Sequence, residues 1–414
     1  MKRVAITGLG AITPLGNNVP DFWANIQAGK SGAGPITKFD ASKFKTQFAC
    51  EVKGFNADDY FDRKEARKYD LFTQYAVAAS DEAIKDAGLD FATMPQHERF
   101  DVGVIWASGN GGITTFEEQL KEFHTGDGTP RFNPFFIPKM IVDIAAGVIS
   151  IRNGLHGPNY ATVSACASSN TAIIAAFDTI RLGKATIMIA GGSEAALTES
   201  SIGGFNASHA LSKRNDNPQG ASRPFDKDRD GFVAGEGAGA LVLEDYDYAV
   251  ARGATIYAEI VGGGMAADAY HLTGTPPDGL GAALGMTKAL ADANITPDKI
   301  SYINAHATST GLGDISELTA ISTVFNGLNV PIGATKSMTG HLLGAAGAIE
   351  SIISVLAIRD GVIPPTINTV NIDEAVPDGL NLVLGQSQKA TIEYVLNNTF
   401  GFGGHTASTI FKKV

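Results

Sequence analysis

The chain has 414 residues, 44% of them hydrophobic and 18% charged, a globular balance that argues against disorder. Its 32 Lys and Arg against 43 Asp and Glu leave a net charge of −11, which argues against a nucleic-acid partner. Two cysteines, Cys50 and Cys166, exclude a disulfide scaffold and a four-Cys zinc site and suit a reducing cytoplasm.

In chain order, Arg3–Thr7 is a β-branched run that reads as a strand, with Gly8-Leu9-Gly10 as the loop after it. The basic start and short apolar run look like a leader, but the glycines break the run and no small-residue cleavage site follows. Pro20–Ala28 reads as a helix, Lys64–Ala87 as one long helix stopped by Gly88, and Val102–Ala107 as a buried strand ending in Ser108-Gly109-Asn110. Ile137–Ile149 is helical, Tyr160–Ser164 a strand, Ala167–Leu182 an apolar helix, Ala185–Ala190 a strand, Ala238–Leu243 a strand and Tyr246–Arg252 a short helix. A second series follows, with strands at Ile256–Gly262, Ile300–Ala305, Ile332–Ala334, Tyr394–Asn398 and Ala407–Phe411. Its helices are Leu280–Ala293, Asp314–Val324 and Ala345–Arg359. Strands alternating with helices imply an α/β fold with helices on both sheet faces. The break between the series divides the chain at 1–254 and 255–414. No apolar run has the length of a membrane-spanning helix.

Cys166 falls where a strand gives way to an apolar helix. The helix macrodipole and the unpaired amides of a first turn favour thiolate there, and a tight turn lifts the side chain out of the sheet. From the local pattern alone, a buried structural thiol remains an equal alternative. Cys50 has no such setting and reads as structural. His306 and His341 each lie just past the end of a strand, where ligands bind in α/β sheets. Lys336 precedes the helix that carries Glu350, a carboxylate able to hold it. The histidines lack a zinc-protease spacing. Gly8-Leu9-Gly10 does not continue into a dinucleotide fingerprint, because Thr13 stands where glycine is needed. Asp226–Gly231 opens like a calcium loop, but Gly237 stands in place of the closing glutamate. Lys64, Arg67 and Lys68 are spaced to share one face of the long helix. They read either as an ordinary solvated helix start or as a docking patch for an acidic partner.

These motifs resemble the elongating condensing enzymes of the thiolase superfamily, the β-ketoacyl-[acyl-carrier-protein] synthases. The resemblance runs through Thr7-Gly8-Leu9-Gly10, Ser164-Ala165-Cys166-Ala167-Ser168-Ser169, Arg223-Pro224-Phe225-Asp226 and Gly235-Glu236-Gly237-Ala238-Gly239. It continues through Asn304-Ala305-His306, Lys336-Ser337-Met338-Thr339-Gly340-His341 and Phe400-Gly401-Phe402-Gly403-Gly404. It implies a thiolase fold, a duplicated five-layer α-β-α-β-α arrangement. It also implies a decarboxylative condensation of acyl- with malonyl-carrier protein in fatty acid elongation, releasing 3-oxoacyl-carrier protein and CO2.

On that resemblance Cys166 is the acylated nucleophile, and His306 and His341 serve decarboxylation. Lys336 shapes the local field, supported by Glu350, Asp314 and Glu317. The amides of Cys166 and Phe402 form an oxyanion hole, and the Phe402 ring gates the acyl pocket. Thr308 and Thr310 contact the pantetheine arm, and Lys64, Arg67 and Lys68 dock the carrier. No cofactor or metal is implied, since the 4′-phosphopantetheine arrives on the carrier. A cytoplasmic homodimer is expected, with no membrane or nucleic-acid partner.

The sequence departs from the family pattern at Ala307, where glycine is usual, at His405-Thr406, and at Asn110, where an apolar pocket residue is usual. A buried Asn110 amide would favour shorter or more polar acyl chains. A thiolase would need a second cysteine after Cys166, and none exists. An initiating synthase would carry asparagine in place of His341. A chain-length factor would lack the nucleophile, whereas a specialised polyketide ketosynthase would carry the same active residues.

Overall fold

The structure is a computed structural model describing residues 1–414. The first half contains β1 (Val4–Ile12), α1 (Leu71–Asp86), β2 (Val102–Ala107), α2 (Ile144–Asn153), β3 (Asn159–Thr162), α3 (Ser168–Arg181), β4 (Ile187–Glu194) and β5 (Gly237–Asp245). The second contains β6 (Ala258–Ala267), α4 (Leu280–Asp292), β7 (Tyr302–Asn304), α5 (Gly311–Val324), β8 (Pro331–Gly333), α6 (Ala346–Asp360), β9 (Tyr394–Gly401) and β10 (His405–Lys412).

The strand order shows a duplication. Outward from β1 it runs β1-β5-β4-β2-β3, and outward from β6 it runs β6-β10-β9-β7-β8, the same permutation. Each half has two antiparallel pairings followed by two parallel ones. The halves join where Val4–Ile6 pairs antiparallel with Ala258–Ile260. Helices α3 and α6 pack on each other and against strands of both halves, while α1 and α4 cover the two outer faces. The result is the expected five-layer order. Every residue of α6 from Ala346 to Ile358 is buried, as a helix apolar all round must be.

Three local readings are corrected. Gly8 and Gly10 lie inside β1, not in a loop. A Cβ there would sit 2.1 Å from Ala83 O and 1.9 Å from Ala79 O, so glycine lets α1 lie directly on the strand. The long helix from Lys64 is two helices, Arg63–Ala66 and α1. Asp62 caps the first by accepting from the amides of Lys64 and Glu65. Asp70 caps α1 through the Phe72 amide and is anchored by Thr115, whose hydroxyl donates to it at 2.6 Å. Likewise, Ile137–Ile149 splits into Phe136–Met140 and α2, because Ile141 is extended. Three helices went unread, Ile113–Thr125, Glu199–Ala207 and the single turn Lys336–Thr339.

Candidate active site

The site lies where the C-terminal ends of parallel strands from both halves converge. A cavity of about 250 Å³ is lined by Cys166, His306, His341, Thr308, Thr310, Phe400 and Phe402, among others. Cys166 comes from the turn after β3, His306 from the turn after β7, and Lys336 and His341 from the segment after β8.

Cys166 is half-buried in a short 3-10 turn just ahead of α3. The residue before it, Ala165, has φ +50°, which bends the chain sharply just ahead of Cys166. The backbone amides of Phe402 and of Cys166 itself face the sulfur. The Phe402 loop approaches this closely because residue 401 is glycine. A Cβ on Gly401 would lie 2.7 Å from Ser164 O and 2.9 Å from Cys166 N. One expectation is outweighed here. The helix terminus was expected to favour thiolate, but burial pushes the Cys166 thiol up to about 12, against the pull of Lys336 and the two amides. Desolvation of the charged form outweighs the dipole, so the resting group is a thiol.

The imidazoles of His306 and His341 meet edge to face with ring centroids 5.3 Å apart. Phe232 packs on His341 and Phe400 on His306. Burial holds both rings well below the ordinary histidine range, and the Lys336 charge adds to it, so both are neutral. Lys336 is 1% exposed and forms a buried ion pair with Glu350. Glu350 keeps its second oxygen unpartnered, and burial pushes its carboxyl up to about 7.

The His306 loop is tied down by buried carboxylates. Glu317 accepts from the amides of His306 at 2.9 Å and Ala307 at 2.8 Å, and from Asn398. Burial pushes Glu317 up to about 7. Asp314 accepts from the amides of Ser309, Thr310 and Phe225. Ala307 has φ +24°, so the methyl at this position is carried in a conformation that favours glycine. The Thr308 and Thr310 hydroxyls lie 3.1 Å apart. The Phe402 ring is exposed at the cavity rim, while Phe400 is buried against His306.

Other sequence expectations fall outside the cavity. Asn110 is exposed and does not line it, so the argument for a buried amide beside the acyl chain does not apply. His405 is exposed, and the buried Thr406 hydroxyl donates to Gly281 O at 3.2 Å. Lys64, Arg67 and Lys68 are exposed and form no ion pair, but they do not share a helix face, because the helix ends at Ala66.

Two features were missed. Glu194, at the end of β4, is fully buried beside Cys166 and accepts from Ser108, Gly109, Asn110 and Gly344. Asn170, Asn304 and Asn397 form a fully buried amide network between α3, α6 and the strands. The available signal was polar residues inside apolar elements, which must find partners when buried.

Comparison with known proteins accords with this geometry. The family described as Beta-ketoacyl synthase, N-terminal domain, matches residues 1–249, and its C-terminal counterpart matches residues 257–370. The chain belongs to the beta-ketoacyl synthase family. It is 48% identical to a 3-oxoacyl-[acyl-carrier-protein] synthase 2 of Synechocystis, covering 100% of this chain and 98% of the relative. It is 46% identical to the protein of that name in Vibrio cholerae, covering 100% and 99%. Among solved structures, a beta-ketoacyl synthase from Burkholderia phymatum superposes with a TM-score of 0.92 at 37% identity, each chain covered in full. A type II polyketide ketosynthase solved with its acyl-carrier protein gives 0.89 at 35%, covering 100% and 99%. The fold is therefore the thiolase fold of ketosynthases, and the chain is an acyltransferase of that family.

Proposed function

We propose that this chain condenses acyl-carrier protein with malonyl-carrier protein to give 3-oxoacyl-carrier protein and CO2 in fatty acid elongation. The observation that carries the reading is the convergence of Cys166, His306 and His341 on one cavity, with the Lys336–Glu350 pair behind them. Cys166 attacks the acyl thioester of the first carrier. Its proton passes to the departing pantetheine sulfur, and an acyl-Cys166 thioester remains.

The malonyl carrier then enters, and its C–CO2 bond breaks. Neutral His306 and His341 donate hydrogen bonds to the thioester oxygen as the electron pair moves onto it. The resulting enolate carbon attacks the acyl-Cys166 carbonyl. The amides of Cys166 and Phe402 receive the oxyanion, and donors already aimed at developing charge need no reorganisation. The C–S bond breaks, and the departing Cys166 thiolate takes up one proton from solvent, the proton the overall reaction consumes. Lys336 favours negative charge at the sulfur and neutral imidazoles around it. Glu350 holds Lys336, and Asp314 and Glu317 hold the His306 loop.

Thr308 and Thr310 line the passage for the pantetheine arm. Lys64, on the short helix, and Arg67 and Lys68, just past its end, meet the acidic carrier as an exposed basic cluster, and the Phe402 ring gates the cavity. The chemistry needs no resident cofactor or metal. We read the division at 254/255 as the boundary of the two halves. The protein acts in the cytoplasm as a homodimer, a reading supported by the unpaired edge strand β3 with Tyr160 and Val163 exposed beside it. No helix is long and apolar enough to cross a membrane.

The test is a condensation assay on a panel of acyl-carrier proteins, with mass spectrometry of the Cys166 adduct. Cys166→Ala abolishes condensation and leaves malonyl decarboxylation. Condensation at the wild-type rate in that variant would overturn the assignment.

A further inference from the structure

The loop that carries Thr308 and Thr310 is gripped from both sides. Its amides at Ser309 and Thr310 donate to Asp314. Its carbonyls are held by Arg229, whose side chain is only 2% exposed. Arg229 Nε donates to Thr310 O at 2.9 Å and Nη2 to Gly311 O at 2.5 Å. Nη1 donates to Asp226 O at 2.8 Å and to Asp373 Oδ2 at 2.7 Å. Nε lies 3.4 Å from Asp314 Oδ2. All three guanidinium nitrogens are thus engaged, and the two faces of the grip are themselves a buried charge pair.

The loop needs such a grip. Ala307 and Ser309 both have positive φ, at +24° and +68°, a cost of about 1–3 kcal/mol each that the surroundings must hold in place. Released from Arg229, Gly311 O would lose its guanidinium donor and Thr310 O would keep only the longer bond from the Asp314 amide at 3.3 Å, and the loop would relax toward ordinary dihedrals. The hydroxyls of Thr308 and Thr310 would then leave their places on the cavity wall. Cys166 would not follow, because its turn is built on β3 and α3, and His306 has its own tether through Glu317.

We propose that Arg229 is a positioning residue for recognition of the pantetheine arm, setting the two threonine hydroxyls that the arm passes. The proposal rests on the condensing function above. Only a planar fork reaches both carbonyls and both carboxylates, so lysine keeps the charge but not the geometry.

The experiment is Arg229→Lys in the full-length enzyme, with kcat and KM measured for acyl- and malonyl-carrier protein. Alongside it, the rate of Cys166 alkylation by iodoacetamide, which has no pantetheine, reads the nucleophile alone. The expected result is a tenfold or larger rise in KM, kcat within about threefold and alkylation unchanged. Asp373→Asn, which removes one half-exposed partner of the same fork, gives a smaller rise in KM and protects the test against a folding defect in the first variant. In a Thr308→Val/Thr310→Val background, Arg229→Lys adds nothing further, because both changes act through the same hydroxyls. Unchanged KM in both single variants, or full additivity in the combined one, overturns the proposal. Alkylation slowed as much as condensation overturns it too, since Arg229 would then hold the whole site. A wild-type enzyme that does not condense overturns the function beneath it, and this role with it.

Discussion

Lys336→Met, Glu350→Gln and their combination separate what the buried pair does for stability from what it does for chemistry. Lys336 is 1% and Glu350 2% exposed, so removing either partner leaves the other buried without its counter-charge, which costs about 3–5 kcal/mol. For Lys336→Met the cost depends on pH. Glu350 already sits at about 7 because burial outweighs the lysine's pull, and losing that cation moves it higher still. A carboxyl raised in the folded state contributes stability below its unfolded value near 4.5, and loses it as pH rises through the folded value. The single variant therefore loses about 3 kcal/mol near neutrality, and the deficit grows further as pH rises above 7. Adding Glu350→Gln removes the stranded carboxylate and brings stability back to within about 1 kcal/mol of wild type, with no extra loss above pH 7.

Activity does not return with it. Lys336 is the largest influence opposing the raised Cys166 thiol, and it also keeps His306 and His341 low. Without it the alkylation profile of Cys166 moves to higher pH. The acid limb of condensation also moves up toward the ordinary histidine range. Denaturant unfolding between pH 6 and 9, iodoacetamide alkylation and pH–rate profiles on the same three variants decide the matter. A double variant that recovers wild-type alkylation along with stability would refute the electrostatic role of Lys336.

Gly401→Ala introduces a Cβ 2.7 Å from Ser164 O and 2.9 Å from Cys166 N. The turn must yield by about 0.5 Å or more, destabilising by about 1–3 kcal/mol and cutting kcat about 10- to 100-fold; a wild-type kcat would show that the loop has slack. Reversing charge at Lys64, Arg67 and Lys68 raises KM for carrier substrates about tenfold at low ionic strength, and the effect shrinks in 0.5 M salt. A salt-independent change would place the effect in the fold and not in docking. Glu317, at about 7, lends stability in acid that is lost as pH rises through its folded value, so Glu317→Gln removes up to about 3 kcal/mol of the decline between pH 4.5 and 8. An unaltered stability profile in urea melts across that range would show that Glu317 does not titrate there.

Strand ends were the most legible part of the sequence. Val102–Ala107 was read to the residue, and the turns holding Cys166, His306 and His341 were placed because β-branched runs stop where glycine or small polar residues begin. What escaped depended on partners distant in the chain. Gly8 and Gly10 look like a turn until α1 is known to lie on them. Asp70 could have been read as a cap, but its bond to Thr115, 45 residues on, could not. Glu194 sits at the end of an apolar strand, and its four donors come from two segments that sequence does not bring together. The Cys166 reading lacked the opposing effect: the amides do pull toward thiolate, but burial outweighs them. A helix terminus is visible in sequence, whereas the depth at which it lies is not, and here depth wins.

The duplication explains why the site needs both halves. The turn after the third strand carries Cys166 in the first half, and its equivalent after β8 carries Lys336 and His341. The turn after the second strand carries Ser108–Asn110 in one half and His306 in the other. Because α3 and α6 pack together in the central layer, these four turns meet at one cleft with opposite electrostatic endowments. The first half supplies a thiol and a buried carboxylate, Glu194, with no cation beside it. On its own that pairing would drive the thiol further from ionisation, since Glu194 opposes negative charge at the sulfur. The second half supplies the one buried cation near the thiol and two neutral imidazoles. A fold of two like halves thus becomes competent only through their difference, and the overall charge of −11 says nothing of it. What most opposes the effect of burial on the Cys166 thiol is a single lysine just past β8. The docking role proposed for Lys64, Arg67 and Lys68 belongs to a separate exposed cluster, so variants of one should leave the readout of the other untouched.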